Sequence, residues 1–163
     1  RQRLRRGFDE ATLAAPLDNG CVYPGIADLL DSLHGVLPMA VVTNKPTRLA
    51  QAVLEAAGLS HRLMHVQGAD TPAQRKPAPA MLLSTAARFG LQPSLLLMVV
   101  DAPPDMLAAQ AAGCLAALVG WGYGAHAVPS ASRPWRVETP QKLGSSLLAM
   151  AHPSRPSPTV SID

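Results

Sequence analysis

Aromatic residues are scarce: two Trp, two Tyr and two Phe make up 4% of the 163 residues. A core must therefore come from Ala, Leu and Val, within an apolar share of 48%. The length suits one domain with a real core. Cysteine is equally rare. Cys21 and Cys114 stand far apart with no metal-ligand spacing, which reads as two buried thiols in a reducing compartment. No apolar run reaches the ~18 residues of a membrane span, so no membrane partner is expected. The chain opens on charge without an apolar segment of the signal-peptide kind, and the expected location is cytoplasmic. The formal charge is only +3, with Arg1, Arg3, Arg5 and Arg6 crowded at the start. No aromatic interleaving or binding motif accompanies them, so nucleic acid is not an expected partner. His34, His61, His65, His126 and His152 are scattered and read as surface or packing residues. The lack of Gly-x-x-x-x-Gly-Lys excludes a P-loop.

What is present centres on residues 97–113. The apolar run 97–100 suits a strand buried on both faces. Pro103 and Pro104 suit the first turn of a helix, where a missing N–H is harmless, and Gly113 suits its stop. Asp101 then falls at the carboxyl end of a strand and Asp105 in the first turn of the next helix. Two carboxylates so placed can share one hard cation such as Mg²⁺. The alternative is that Asp101 caps the helix and Asp105 complements its dipole.

The rest of the chain alternates strand and helix. Residues 1–15 are helix-permissive. Tyr23-Pro-Gly25 turns into a helix in which Ile26, Leu29, Leu30 and Leu33 share a face. Pro38–Thr43 reads as a short buried strand, followed by a helix with Ala50, Val53, Leu54 and Ala57 on one side. Leu63–Gln67 is a weaker strand, 68–79 a loop with three prolines, and 80–89 a helix. A strand at 97–101, a helix at 103–112 and an apolar run at 115–119 come next, then the glycine-rich loop Gly120-Trp-Gly-Tyr-Gly124. Val137 suits an edge strand, 142–150 a last helix, and 151–163 a disordered tail. This alternation is the signature of a parallel sheet covered on both faces. No repeat or second domain is visible.

Three strand ends carry polar groups: Thr43 with Asn44, Lys76 in the long loop, and Asp101 with Asp105. In a parallel sheet they converge on one edge. A hydroxyl, an ammonium and two carboxylates are the parts needed to hold a phosphoryl group with Mg²⁺. Taken singly, Thr43 reads as a helix cap and Lys76 as a solvated loop lysine. Lys45 is expected to be exposed and is left out of the set.

These residues carry a resemblance. Val41-Val-Thr-Asn-Lys-Pro46, Arg75-Lys-Pro-Ala-Pro79 and Val99-Val-Asp-Ala-Pro-Pro-Asp105 with Ala108-Ala-Gln-Ala-Ala-Gly113 resemble, in that order, the haloacid dehalogenase superfamily of hydrolases. Tyr23-Pro-Gly25, Thr43-Asn-Lys-Pro46, Gly68-Ala-Asp70 and Gly120–Gly124 look like its phosphoglycolate phosphatase group. The resemblance covers roughly residues 20–125. It implies a three-layer α/β sandwich with a mostly parallel, Rossmann-like sheet. It also implies Mg²⁺-dependent hydrolysis of a small phosphorylated metabolite through a phosphoaspartate. By matching position, Thr43 is the phosphate-binding hydroxyl and Asn44 assists through its backbone N–H. Lys76 is the catalytic lysine that pairs with phosphate and nucleophile. Asp101 and Asp105 hold the metal, Asp101 foremost.

The sequence also departs from that pattern. The family's nucleophile stands in an Asp-x-Asp-Gly-Thr motif on its first strand. None of Asp9, Asp18, Asp28 and Asp31 lies in such a setting. Val100 and Ala102 replace the usual glycine and small hydroxyl residue beside Asp101. The expected organisation is a cap remnant at 1–20, an α/β core at 21–125, an edge strand and helix at 126–150, and the tail. The N-terminal strand and most of the cap are missing from it. That strand belongs in mid-sheet, and its absence leaves two unpaired edges. The expected activity of the chain alone is none. The alternative function is a non-catalytic phosphate-binding or regulatory protein. A receiver-like domain fits less well, because its acidic residues precede its Thr and Lys.

Overall fold

A computed structural model describes residues 10–15, 21–129 and 134–152. The elements alternate as expected. Helix α1 (Ile26–Leu33) leads to strand β1 (Ala40–Thr43) and helix α2 (Thr47–Ala56). Strand β2 (His65–Gly68) and helix α3 (Ala80–Arg88) follow, then strand β3 (Leu97–Val100) and helix α4 (Pro103–Ala112). Strands β4 (Leu115–Val119) and β5 (Trp135–Val137) and helix α5 (Pro140–Ala151) complete the set. Most boundaries fall within two residues of the sequence reading. Helix α5 extends one residue into the stretch expected to be a tail, and 153–163 lie outside the described residues. The cap remnant expected at 1–20 also falls largely outside them; 10–14 are helical.

Helix α4 shows how local sequence sets local structure. Pro103 and Pro104 occupy its first turn, and Gly113 closes it in the left-handed region at φ 72°, a conformation that costs a side-chain-bearing residue dearly. Ala108, Ala109 and Ala112 are buried with Met106. Their small side chains let the helix lie close on the sheet, and this offsets the lack of aromatics.

The strands are all parallel, but they form two sheets. β1 pairs only with β2, Val41 opposite Val66. β3, β4 and β5 form the other, with Val100 opposite Leu118 and Val119 opposite Val137. The sequence reading expected a mid-sheet gap between the first and third strands, and the break falls there. Hydrogen bonds show which edges face it. The Met39 carbonyl accepts from the Met64 N–H at 2.8 Å, and the Leu96 carbonyl from the Leu115 N–H at 3.0 Å. Peptide groups alternate sides along a strand. Ala40 and Val42 therefore turn theirs away from β2, and Leu97 and Val99 away from β4.

Two apolar clusters fill the interior. Leu82, Met98, Val100, Met106, Leu118 and Val128 form the larger, and Val42 of β1 packs against it. Helix α3 thus spans the break, since Leu82 belongs to a cluster that both sheets join. Leu29 and Leu33 of α1, Val119, Val137 and Leu143 of α5 form the second cluster.

Candidate active site

The parallel strands bring the predicted residues to one edge. Thr43 ends β1, Lys76 lies in the loop after β2, and Asp101 follows β3. Asp105 sits in the first turn of α4. Lys76 joins them. Its Nζ donates to the Val42 carbonyl at 2.9 Å and stands 2.6 Å from Asp105 Oδ1. Both partners of the ion pair are largely buried, with side chains 10% and 13% exposed. The solvated loop lysine is therefore excluded as a reading of Lys76. An ammonium has three donors, so one remains after Val42 and Asp105.

Asn44 holds this lysine in place. Its Oδ1 accepts the Lys76 backbone N–H at 2.7 Å, and its Nδ2 donates to the Lys76 carbonyl at 3.1 Å. The sequence reading gave Asn44 a part only through its own backbone N–H. Its side chain instead clamps the Lys76 backbone on both sides, just before a cis peptide to Pro77. Spacing does not reveal such a contact, because 32 residues separate the two.

Thr43 does not cap α2. Its Oγ1 accepts the Lys45 N–H at 3.2 Å, and the helix N-cap is Pro46 without a side-chain bond. Asp70 serves the α2 terminus instead: Oδ1 accepts the Thr47 N–H at 2.8 Å and Oδ2 the Thr47 hydroxyl at 2.7 Å. That hydroxyl accepts the Gly68 N–H at 3.0 Å, which pins the β1–α2 turn to the end of β2. The sequence singled out Gly68-Ala-Asp70 without giving it this role. Lys45 is exposed, as expected.

Asp101 is half-buried. Burial first, then the hydrogen bond and charge of the neighbouring Asp105 carboxyl, push its carboxyl above the ordinary aspartate range. The Lys76 charge opposes that shift. Two carboxylates held this close repel, and a cation between them removes the repulsion. The donors are hard oxygens, which suits Mg²⁺, an ion that keeps several waters beside one or two carboxylates. Among the described residues no cluster of three or more His, Cys, Asp or Glu side chains could hold a metal. The fit therefore rests on this pair. Asp105 already engages Lys76, which leaves Asp101 the more available ligand. Neither carboxylate caps α4 with a side-chain bond, since Ala102 is the N-cap.

The glycine-rich loop closes over Asp101. A Cβ at Gly122 would collide with the Asp101 Cβ, and one at Gly124 would come within 2.9 Å of the Asp101 carbonyl oxygen. Trp121 packs into the second cluster, while Tyr123 stays 84% exposed. Its ring meets that of Tyr23, centroids 5.8 Å apart and planes tilted by 54°. Partial desolvation, the Tyr123 phenol and the Asp101 charge raise the Tyr23 phenol above its usual value. The sequence marked one segment as a turn and the other as a glycine-rich loop, and missed that they meet. A surface groove of about 460 Å³ lined by Gln51, Met64 and Arg88 lies elsewhere, along β2 and α2.

A parallel α/β domain with a hydroxyl, a buried lysine and a carboxylate pair at its strand ends defines a class, and the comparisons agree. The haloacid dehalogenase-like hydrolase family model matches residues 4–113, more than half of the chain. The chain belongs to that family. Within it, the chain is similar to the phosphoglycolate phosphatase of Chromobacterium violaceum, 42% identical over 107 residues, 65% of this chain and 48% of that protein. It is 35% identical over 132 residues to the Salmonella typhi phosphoglycolate phosphatase, 80% of this chain and 52% of that one. The crystal structure of a predicted phosphoglycolate phosphatase from Haemophilus somnus superposes with a TM-score of 0.75 at 30% identity, covering 89% of this chain and 64% of the other. The chain spans about half the length of the curated relatives it matches. Among the described residues no helix is long and apolar enough to cross a membrane.

Proposed function

We propose that this chain carries the phosphate- and metal-binding half of a Mg²⁺-dependent phosphomonoesterase site. The enzyme type is phosphoglycolate phosphatase and the ligand a small phosphorylated metabolite. The observation that carries the reading is the Lys76 bridge. One buried ammonium touches the end of β1 and the first turn of α4, with one N–H left for a phosphoryl oxygen. Thr43 Oγ1 already accepts a backbone N–H, so its own O–H is available as a donor to the same group. Asn44 keeps Lys76 in position. Asp101 and Asp105 would hold Mg²⁺, which when bound neutralises and clamps phosphoryl oxygens.

The 163 residues contain no Asp-x-Asp-Gly-Thr, the family motif that supplies the attacking carboxylate. The reading therefore predicts binding without turnover. Phosphate release from 2-phosphoglycolate and p-nitrophenyl phosphate should stay at background with Mg²⁺ or EDTA. Mg²⁺ with inorganic phosphate should raise the melting temperature of the parent chain and not of Asp101→Ala. Mg²⁺-dependent release lost in Asp101→Ala would show that the chain holds its own nucleophile, and would overturn the half-site reading. No stabilisation by either ligand would overturn the site itself.

A further inference from the structure

We propose that Tyr23 and Tyr123 form a two-phenol doorway that selects the organic half of the phosphate ester, by donating hydrogen bonds to an acceptor such as a carboxylate. The inference rests on the phosphate-site reading above and adds residues that the reading does not use.

Three observations support it. The loop carrying Tyr123 is held at fixed height over the carboxylates: Trp121 is anchored in the cluster of Leu29, Val119 and Leu143, and Gly122 and Gly124 lie against Asp101. Tyr123, between the two glycines, projects outward and is 84% exposed. Tyr23 comes from the turn before α1, and its ring meets that of Tyr123 at 5.8 Å. Ile26, one turn on, packs into the cluster that holds Trp121. Both tyrosines are thus positioned by one apolar cluster. A phenol O–H is a hydrogen-bond donor, and the two side chains also hydrogen-bond each other, so they act as a pair.

The chemistry limits what such a doorway accepts. With the phosphoryl group at Lys76, Thr43 and the carboxylates, an ester that extends past Asp101 meets the loop of Tyr123, whose glycines lie against that residue. An O–H donor there favours an acceptor and gives a plain alkyl chain nothing. An exposed phenol unmet by the ligand returns to water, so each hydroxyl contributes the net worth of one hydrogen bond, a severalfold preference.

Isothermal titration of the full 163-residue chain with Mg²⁺ tests this with three probes: inorganic phosphate, 2-phosphoglycolate and ethyl phosphate. The parent should bind 2-phosphoglycolate about tenfold more tightly than ethyl phosphate. Tyr23→Phe and Tyr123→Phe should each reduce that ratio by roughly threefold to tenfold and leave inorganic phosphate affinity unchanged. Each replacement keeps the ring, and a thermal melt confirms the fold. Phosphate binding with no preference in the parent would overturn the doorway alone. So would a preference that survives both replacements, or equal loss of all three probes in folded variants. No phosphate binding by the parent would overturn the underlying site and the doorway with it.

Discussion

The two-stranded and three-stranded halves differ in how they are built. In β1 every residue is only partly buried. In β4 the last three residues, Ala117, Leu118 and Val119, are buried, with β3 on one side and β5 on the other. The halves also divide the chemistry. Thr43 and the Asn44–Lys76 clamp belong to the weaker half, Asp101 and Asp105 to the stronger. Among the described residues, two ion pairs cross between them. Lys76–Asp105 is buried at the carboxyl ends of the strands. Asp31–Arg62 joins α1 to the turn before β2 at the other end, with Asp31 54% exposed. A site assembled across a seam depends on its weaker side and on the ties that cross the seam.

The largest expected effect separates the halves by their cores. Leu118→Ala should cost about 3 kcal/mol, as deletion of a buried leucine does, whereas Val41→Ala in β1 should cost about 1 kcal/mol. Urea unfolding of both measures the contrast, and equal losses would erase it. The buried tie comes next. Lys76→Met leaves Asp105 buried without its partner and should cost about 3 kcal/mol, while the double variant with Asp105→Asn should regain most of that. If the double variant lost the sum of the two single losses, the ion pair would not be the link.

Most of the fold was legible because each element announces itself locally. The Pro103-Pro104 start, the Gly113 stop and the buried run at 97–100 each need only their own neighbours to be read. The position of Asp101 and Asp105 follows from those boundaries, and that of Lys76 and Thr43 from strand direction. What was not legible depends on approach between distant segments. The Asn44 clamp on Lys76, the Asp70 hold on Thr47 and the meeting of Tyr23 with Tyr123 have no periodicity. Glycine hints at such approach without naming the partner: Gly122 and Gly124 are where Asp101 comes close.

That last contact gives a third, smaller effect. Gly122→Ala puts a methyl group against the Asp101 Cβ, and the loop must shift. The expected cost is about 2 kcal/mol, in the range of overpacked sites. It should come with loss of the Mg²⁺-dependent rise in melting temperature, because the displaced group is Asp101. Destabilisation with an intact Mg²⁺ response would show that the loop yields and the carboxylate does not move.

The exposed tie should matter least, and pH exposes it. Arg62 donates to both Asp31 oxygens, from Nη2 at 2.8 Å, and this hydrogen bonding holds the Asp31 carboxyl below the ordinary carboxylate range. A folded value lower than the unfolded one stabilises the fold at pH above the unfolded value, near 3.9. That contribution disappears as pH falls through the folded value. Asp31→Asn should therefore lower the melting temperature slightly at pH 7, and the gap should narrow once pH falls below about 4. Solvent and salt screen an exposed pair, so high salt should shrink the gap at pH 7 as well. A gap that did not narrow at all below about pH 4, or that high salt left untouched, would mean Asp31 holds the two halves together by packing or neutral hydrogen bonds, and the two ties would then differ in kind and not only in burial.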